Sequence, residues 1–191
     1  GKGIKRFNRE FFNKQREEDN WNEAQLLIKL SNSLCLTCQL FGSSFKASKI
    51  YFDDLPLGDW AGTTQIRDGV AIDRDSERAA DRLKYDYEVV PPGATFDFRV
   101  TLEEVEDRDL PLTCLGLSEF VAGFASLGGK RSSGLGRCKL EELKIYELDL
   151  RNDVTRAQRL RNYLLGRTLE EKMICLTDAN AFLQARIGEL L

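Results

Sequence analysis

Histidine is absent from this 191-residue chain. That removes Ser-His-Asp triads, imidazole general bases and His-ligated metal centres from its chemistry. Long apolar runs are missing too. None approaches the ~18–20 residues of a membrane-spanning helix, so no membrane partner is expected. Bulk charge of one sign is also lacking, with 28 Lys+Arg against 31 Asp+Glu and a formal net charge of −3. Any hold on nucleic acid must then come from a segregated basic surface. Cysteines are few and odd in number, five in all. A disulfide scaffold does not follow, and the compartment reads as reducing and cytoplasmic. Signal peptide, transit peptide, internal repeat and low-complexity tract are all missing. What is present is 42% hydrophobic residues, enough for a real core in a chain of this length.

Periodicity divides the rest. Ile4, Phe7, Phe11 and Phe12 mark an amphipathic helix that opens almost at Gly1, so a segment in front of it is expected. Leu26, Leu27 and Leu30 mark a second helix. From 34 to 110 the period changes to two, at Ile50 and Phe52, at Tyr85, Tyr87 and Val89, and from Phe96 to Leu102. Pro91-Pro92-Gly93 reads as a hairpin-like connection between the last two runs. The stretch between Asp53 and Lys84 has few large apolar residues and reads as a long solvated loop or a protruding finger. Helix returns after 111 with Leu115, Phe120, Val121 and Phe124, stops at Gly128-Gly129, and gives way to a strand with Leu140, Leu143 and Ile145. Residues 150–191 read as a helical tail, carrying Leu160, Leu164 and Leu165 and then Leu169, Met173, Phe182, Leu183 and Ile187. The order is α+β, and one strand added in front makes it the ferredoxin-like β-α-β-β-α-β plan.

The segment from Gly128 to Arg137 carries the most chemistry. Gly128, Gly129, Gly134 and Gly136 let backbone approach a ligand; Ser132 and Ser133 can donate to phosphate; Lys130, Arg131 and Arg137 supply charge. It is no Walker A loop, because Arg131 follows Lys130 where Ser or Thr is required. Phosphate-backbone binding is the sharper reading, and a solvated turn the plainer one. Lys2, Arg6 and Arg9 share one side of the first helix, where they either contact RNA or merely solvate it. Cys35 and Cys38 have the spacing of half a zinc site, or of two reduced thiols under a turn. In the long excursion, Arg67, Val70, Ile72 and Arg74 suit a finger whose apolar side chains wedge against bases. The scattered aspartates there could hold Mg²⁺, although the arginines among them favour a self-neutralising loop.

Together these pieces resemble the RAMP superfamily, the RNA-binding proteins that build CRISPR effector complexes. Cys35-x-x-Cys38-Gln-Leu-Phe-Gly42-Ser-Ser followed by Ala47-Ser48-Lys49-Ile50-Tyr51-Phe52-Asp53 is similar to one of its segments. Arg67-Asp68-Gly69-Val70-x-Ile72-Asp73-Arg74 and Tyr87-Glu88-Val89-Val90-Pro91-x-Gly93 resemble the thumb of the backbone subunit of type III complexes. The glycine-rich segment resembles a C-terminal signature, and Lys2-Gly3-x-x-Arg6 the end of an upstream element. The resemblance spans roughly residues 2–146.

It implies a ferredoxin-like, RNA-recognition-motif-like domain over 1–149, a thumb insertion at about 55–84, and a first strand lying ahead of Gly1. The 150–191 tail falls outside it. It further implies subunits stacked head to tail along a guide RNA (crRNA) beside other effector subunits. The glycine-rich loop and first helix would grip the guide, and the thumb would kink it and position target RNA. Relatives cleave that target with an aspartate and a divalent metal, Mg²⁺ being a candidate. Their aspartate precedes the element in which this chain starts, so the catalytic residue is unassigned and enzymatic activity stays open. A stand-alone single-stranded RNA-binding module is the alternative.

Overall fold

A computed structural model describes residues 13, 17, 22–44, 46–60, 62–73, 75 and 78–190. It is mixed α and β, with three two-stranded antiparallel sheets among the described residues. The chain divides into two compact units, one of Gly1–Lys49 with Glu104–Leu191 and the other of Ile50–Glu103.

In the first unit, α1 (Glu23–Ser33) starts where Asn22 and Gln25 form a reciprocal capping box. The Gln25 N–H donates to Asn22 Oδ1 at 2.8 Å, and the Asn22 N–H to Gln25 Oε1 at 3.2 Å. Helix α2 (Leu36–Phe41) ends at Gly42, whose φ of 86° and closeness to the Ser48 backbone suit glycine alone. Helix α3 (Asp109–Val121) packs against α2 and against α6 (Ala179–Gly188). Leu30, Leu40, Pro111, Cys114 and Leu183 are the buried residues of this unit. Burial pushes the Cys114 thiol up to about 11, as expected of a sulfur enclosed by apolar neighbours. Strand β5 (Tyr146–Glu147) pairs with β6 (Ile174–Cys175), while α4 (Asp153–Leu165) and the short α5 (Leu169–Lys172) pack together. Asn152, Thr168 and Asp178 cap α4, α5 and α6 through their side chains.

A buried ion pair braces this unit. Lys49 Nζ donates to Asp109 Oδ2 and to Glu106 Oε1, each at 2.8 Å, and Asp109 Oδ2 also accepts from the Glu106 N–H at 2.8 Å. The Lys49 N–H donates to the Leu40 carbonyl at 2.9 Å. The Ala47-Ser48-Lys49 segment is thereby tied to the end of α2 and to the start of α3.

In the second unit, β1 (Ile50–Phe52) pairs with β4 (Val100–Leu102), Tyr51 opposite Thr101. The pairing resumes at Leu57 opposite Phe96, with the Gly58 N–H on the Thr95 carbonyl at 2.9 Å. Strands β2 (Gln65–Asp73) and β3 (Arg78–Val89) form a separate antiparallel ribbon. Between the pairs Val70–Lys84 and Ile72–Ala79 stands one residue of β2 and four of β3, a bulge that bends a ribbon and adds twist.

Three expectations need correction. Residues 65–73 and 78–89 are a ribbon, not a loop, and β3 pairs with β2 while the 96–102 run pairs with β1 and its extension. Pro91-Pro92-Gly93 therefore links two sheets and closes no hairpin. Helix α3 stops before Gly128: its reversal uses Gly123 at φ 74°, whose N–H donates to the Phe120 carbonyl at 3.1 Å. The strand expected around Leu140 to Ile145 shrinks to Tyr146–Glu147, because Glu142 takes φ 51° and the Leu140 N–H turns to the Phe120 carbonyl.

Candidate nucleic-acid interface

The glycine-rich segment is a closed loop on a paired base. Ser126 bridges Arg137, and the Leu127 N–H donates to the Gly136 carbonyl at 2.8 Å. Gly136 has φ 82°, and a Cβ there would fall on the Leu127 carbonyl oxygen, so the base closes only on glycine. At the tip, Arg131–Ser133 is a single 3₁₀ turn between Lys130 (φ 53°) and Gly134 (φ 81°), both left-handed. The Ser133 N–H donates to the Lys130 carbonyl at 2.9 Å, and the Gly134 N–H to the Arg131 carbonyl at 3.0 Å. The loop is thus internally built. Its tip presents the exposed side chains of Lys130, Arg131, Ser132 and Ser133.

Arg137 stands apart from that tip. Its Nε donates to the Gly123 carbonyl at 3.0 Å, beyond the C-terminus of α3, where a cation also complements the helix dipole. Of the three cations grouped by sequence, two sit at the tip and one ties the base to the helix.

The second candidate is the β2–β3 ribbon. Opposed residues share a face, and faces alternate along each strand. Arg67 and Gly69 lie with Tyr87 and Tyr85, whereas Ile66, Asp68 and Val70 lie with Glu88, Asp86 and Lys84. Arg67 and Val70 are both exposed but on opposite faces. Lys84 pairs with Asp68 at 3.2 Å, and that hydrogen bond, before the one from Asp86, holds the Asp68 carboxyl below its usual range. Asp53 faces Arg99 at 3.9 Å, so two of the scattered aspartates are neutralised by local cations. Lys2, Arg6 and Arg74 lie outside the described residues, as does the side chain of Ile72.

Cys35 caps the backbone start of α2, with Cys38 one turn on. The Cys38 N–H and thiol donate to the Cys35 sulfur and lower its pKa, and the same thiol contact raises that of Cys38. Two thiols supply half of a tetrahedral zinc site. Among the described residues no group of three Cys, Asp or Glu side chains is placed to hold a metal. The described ligand set therefore fits neither zinc nor a carboxylate-held Mg²⁺.

Sequence reasoning missed two features. Lys49 and Asp109 are 60 residues apart and carry no motif that pairs them. The tyrosines of β3 read only as strand alternation, and the signal for their face was Gly69, a glycine inside a strand.

Among the described residues, no helix is long and apolar enough to cross a membrane. No curated protein matches the chain. The sequence model of the RAMP superfamily matches residues 6–139, a span that holds the Cys35–Cys38 segment, the ribbon and the glycine-rich loop. The chain belongs to the RAMP superfamily, whose members act with RNA and partner subunits in CRISPR complexes.

Proposed function

We propose that this chain is a backbone subunit of a type III CRISPR ribonucleoprotein, holding the guide RNA by its phosphates and positioning target RNA. The observation that carries the reading is the loop 128–137, a closed turn with Lys130, Arg131, Ser132 and Ser133 exposed at its tip. Cations and hydroxyls on a fixed turn suit phosphate contacts, which position a strand without reading its bases. A net charge of −3 agrees with a protein that meets RNA on one locally basic surface and its neighbours elsewhere. The ribbon is the thumb in this reading, with Arg67, Val70, Ile72 and Arg74 as its RNA-facing candidates. Gly128, Gly129, Gly134, Gly136 and Arg137 shape the loop, and Lys2 and Arg6 extend its basic surface. The domain spans 1–149 in a ferredoxin-like plan, and the 150–191 segment serves contacts within the assembly.

The test is the double variant Lys130→Glu/Arg131→Glu. Affinity for single-stranded RNA falls for every sequence alike, and the slope of log K against log salt flattens by about 0.7 for each phosphate no longer neutralised. Wild-type affinity and slope in the variant would remove the loop from the RNA surface.

A further inference from the structure

We propose that the Arg67–Tyr85–Tyr87 face of the ribbon is a stacking platform for successive unpaired nucleobases. The inference rests on the RNA-binding reading and goes beyond its phosphate contacts. It concerns this face of the strands, not the far end of the ribbon, where Asp73 pairs with Arg78.

The register brings the residues together. Gly69 opposes Tyr85 and Arg67 opposes Tyr87, so two rings of β3 and one guanidinium of β2 share a face. Gly69 is what lets the first ring settle. A Cβ at that position would overlap the end of the Tyr85 ring, so the ring lies over bare backbone. The neighbouring Tyr87 ring has its centroid 6.1 Å away at an interplanar angle of 35°. Tyr85 is nonetheless 48% exposed, and the Arg67 side chain is exposed as well. A ring held in place with an open surface meets a base at little entropic cost, and aromatic and guanidinium planes are the groups on which unpaired bases stack.

Charge selects the occupant. The opposite face carries Asp68, Asp86 and Glu88 against one cation, Lys84, which is already engaged by Asp68. Over residues 65–69 and 85–89, the tyrosine face carries Arg67 and no carboxylate. A polyanion is therefore repelled from one side of the ribbon and accepted on the other. An RNA strand along the tyrosine face can place a base on each ring while its phosphates meet Arg67. Stacking is indifferent to sequence because every base has a π-face, which suits a subunit that must accept any guide or target.

The experiment uses the full chain and two strands of equal length, a single-stranded RNA and a matched abasic strand with the same phosphates. Wild-type protein is expected to prefer the base-bearing strand. Tyr85→Ala should lower that affinity about 5- to 150-fold, the equivalent of ~1–3 kcal/mol per stacked base, and leave abasic affinity unchanged. Tyr85→Phe should retain wild-type behaviour. Equal wild-type affinity for both strands, with Lys130→Glu/Arg131→Glu weakening both, would overturn the platform and leave the loop reading standing. Wild-type protein that binds neither strand would overturn both. If Tyr85→Ala alters complex size but not RNA affinity, the face is a protein interface and the proposal falls. Photo-crosslinking of a 4-thiouridine RNA to wild-type protein needs no substitution. Adducts on the peptide holding Tyr85 and Tyr87 support the platform, and adducts confined to other peptides overturn it.

Discussion

Replacing Lys49 with methionine should destabilise the first unit more than any other single change around the ion pair. The side chains of Lys49 and Asp109 are only 9% and 7% exposed, whereas Glu106 is 65% exposed. Lys49→Met leaves the Asp109 carboxylate buried without its cation, a change that costs about 3–5 kcal/mol. Asp109→Asn keeps the side-chain size, and Lys49 retains Glu106, so the loss is nearer that of one charged hydrogen bond, about 1.5–3 kcal/mol. Glu106→Gln alters an exposed partner and should cost about 1 kcal/mol or less. Lys49→Met/Asp109→Leu, which removes both charges, should be less destabilised than Lys49→Met alone. Urea unfolding followed by circular dichroism gives the ranking. Thermal melts should agree, since about 2–4 °C per kcal/mol at this chain length makes Lys49→Met a loss of about 6–20 °C. A Lys49→Met protein within about 1 kcal/mol of wild type, below the smallest cost expected of a broken buried pair, would refute the reasoning. So would Glu106→Gln costing as much as Lys49→Met.

Two further outcomes follow from the same geometry. Burial opposes the Lys49 charge, but its hydrogen bonds to Asp109 and Glu106 outweigh that and raise its pKa above the usual 10.5. A folded value above the unfolded one gives stability that is complete below the unfolded pKa and fades as pH rises through the folded value. The urea midpoint of wild type should therefore fall on the alkaline side of 10.5 by more than that of Lys49→Met, and parallel profiles would contradict the pairing. In the loop, Gly136→Ala must both keep a left-handed backbone and clear the Leu127 carbonyl, whereas Gly128→Ala at φ 84° meets nothing within 4 Å. Gly128→Ala should show only backbone strain of about 1–3 kcal/mol, while Gly136→Ala should exceed it and weaken RNA binding; equal effects in filter binding and urea unfolding would contradict the closed base.

Contiguous features were the legible ones. The loop 128–137 announced itself because glycines, hydroxyls and cations fall within ten successive positions, and its conformation is set by the left-handed residues Gly128, Lys130, Gly134 and Gly136. Strands β1 and β3 were visible through alternation at Ile50 and Phe52 and at Tyr85, Tyr87 and Val89. Strand β2 was not, since Gln-Ile-Arg-Asp-Gly-Val-Ala-Ile-Asp shows no buried-face periodicity, and from Gln65 to Val70 only Gly69 is less than exposed. A ribbon that is solvated on both faces leaves no hydrophobic imprint to read. Helix α3 was misread in its packing as well as its end. Leu115 and Phe124 are exposed, and the residues turned inward are Pro111, Thr113 and Cys114, which hydropathy ranks below Leu and Phe. The Lys49–Asp109 pair was out of reach for a different reason, because only tertiary structure joins residues so far apart in sequence.

The central claim is that many copies of this chain line one RNA strand through a locally basic surface. Native mass spectrometry tests it most directly, with full-length chain titrated into a single-stranded RNA several protomers long, at low and at raised salt. The account predicts a ladder of complexes with successive protomers on one RNA, shortening as salt rises. A single protomer per RNA at every ratio, or a ladder indifferent to salt, would contradict it.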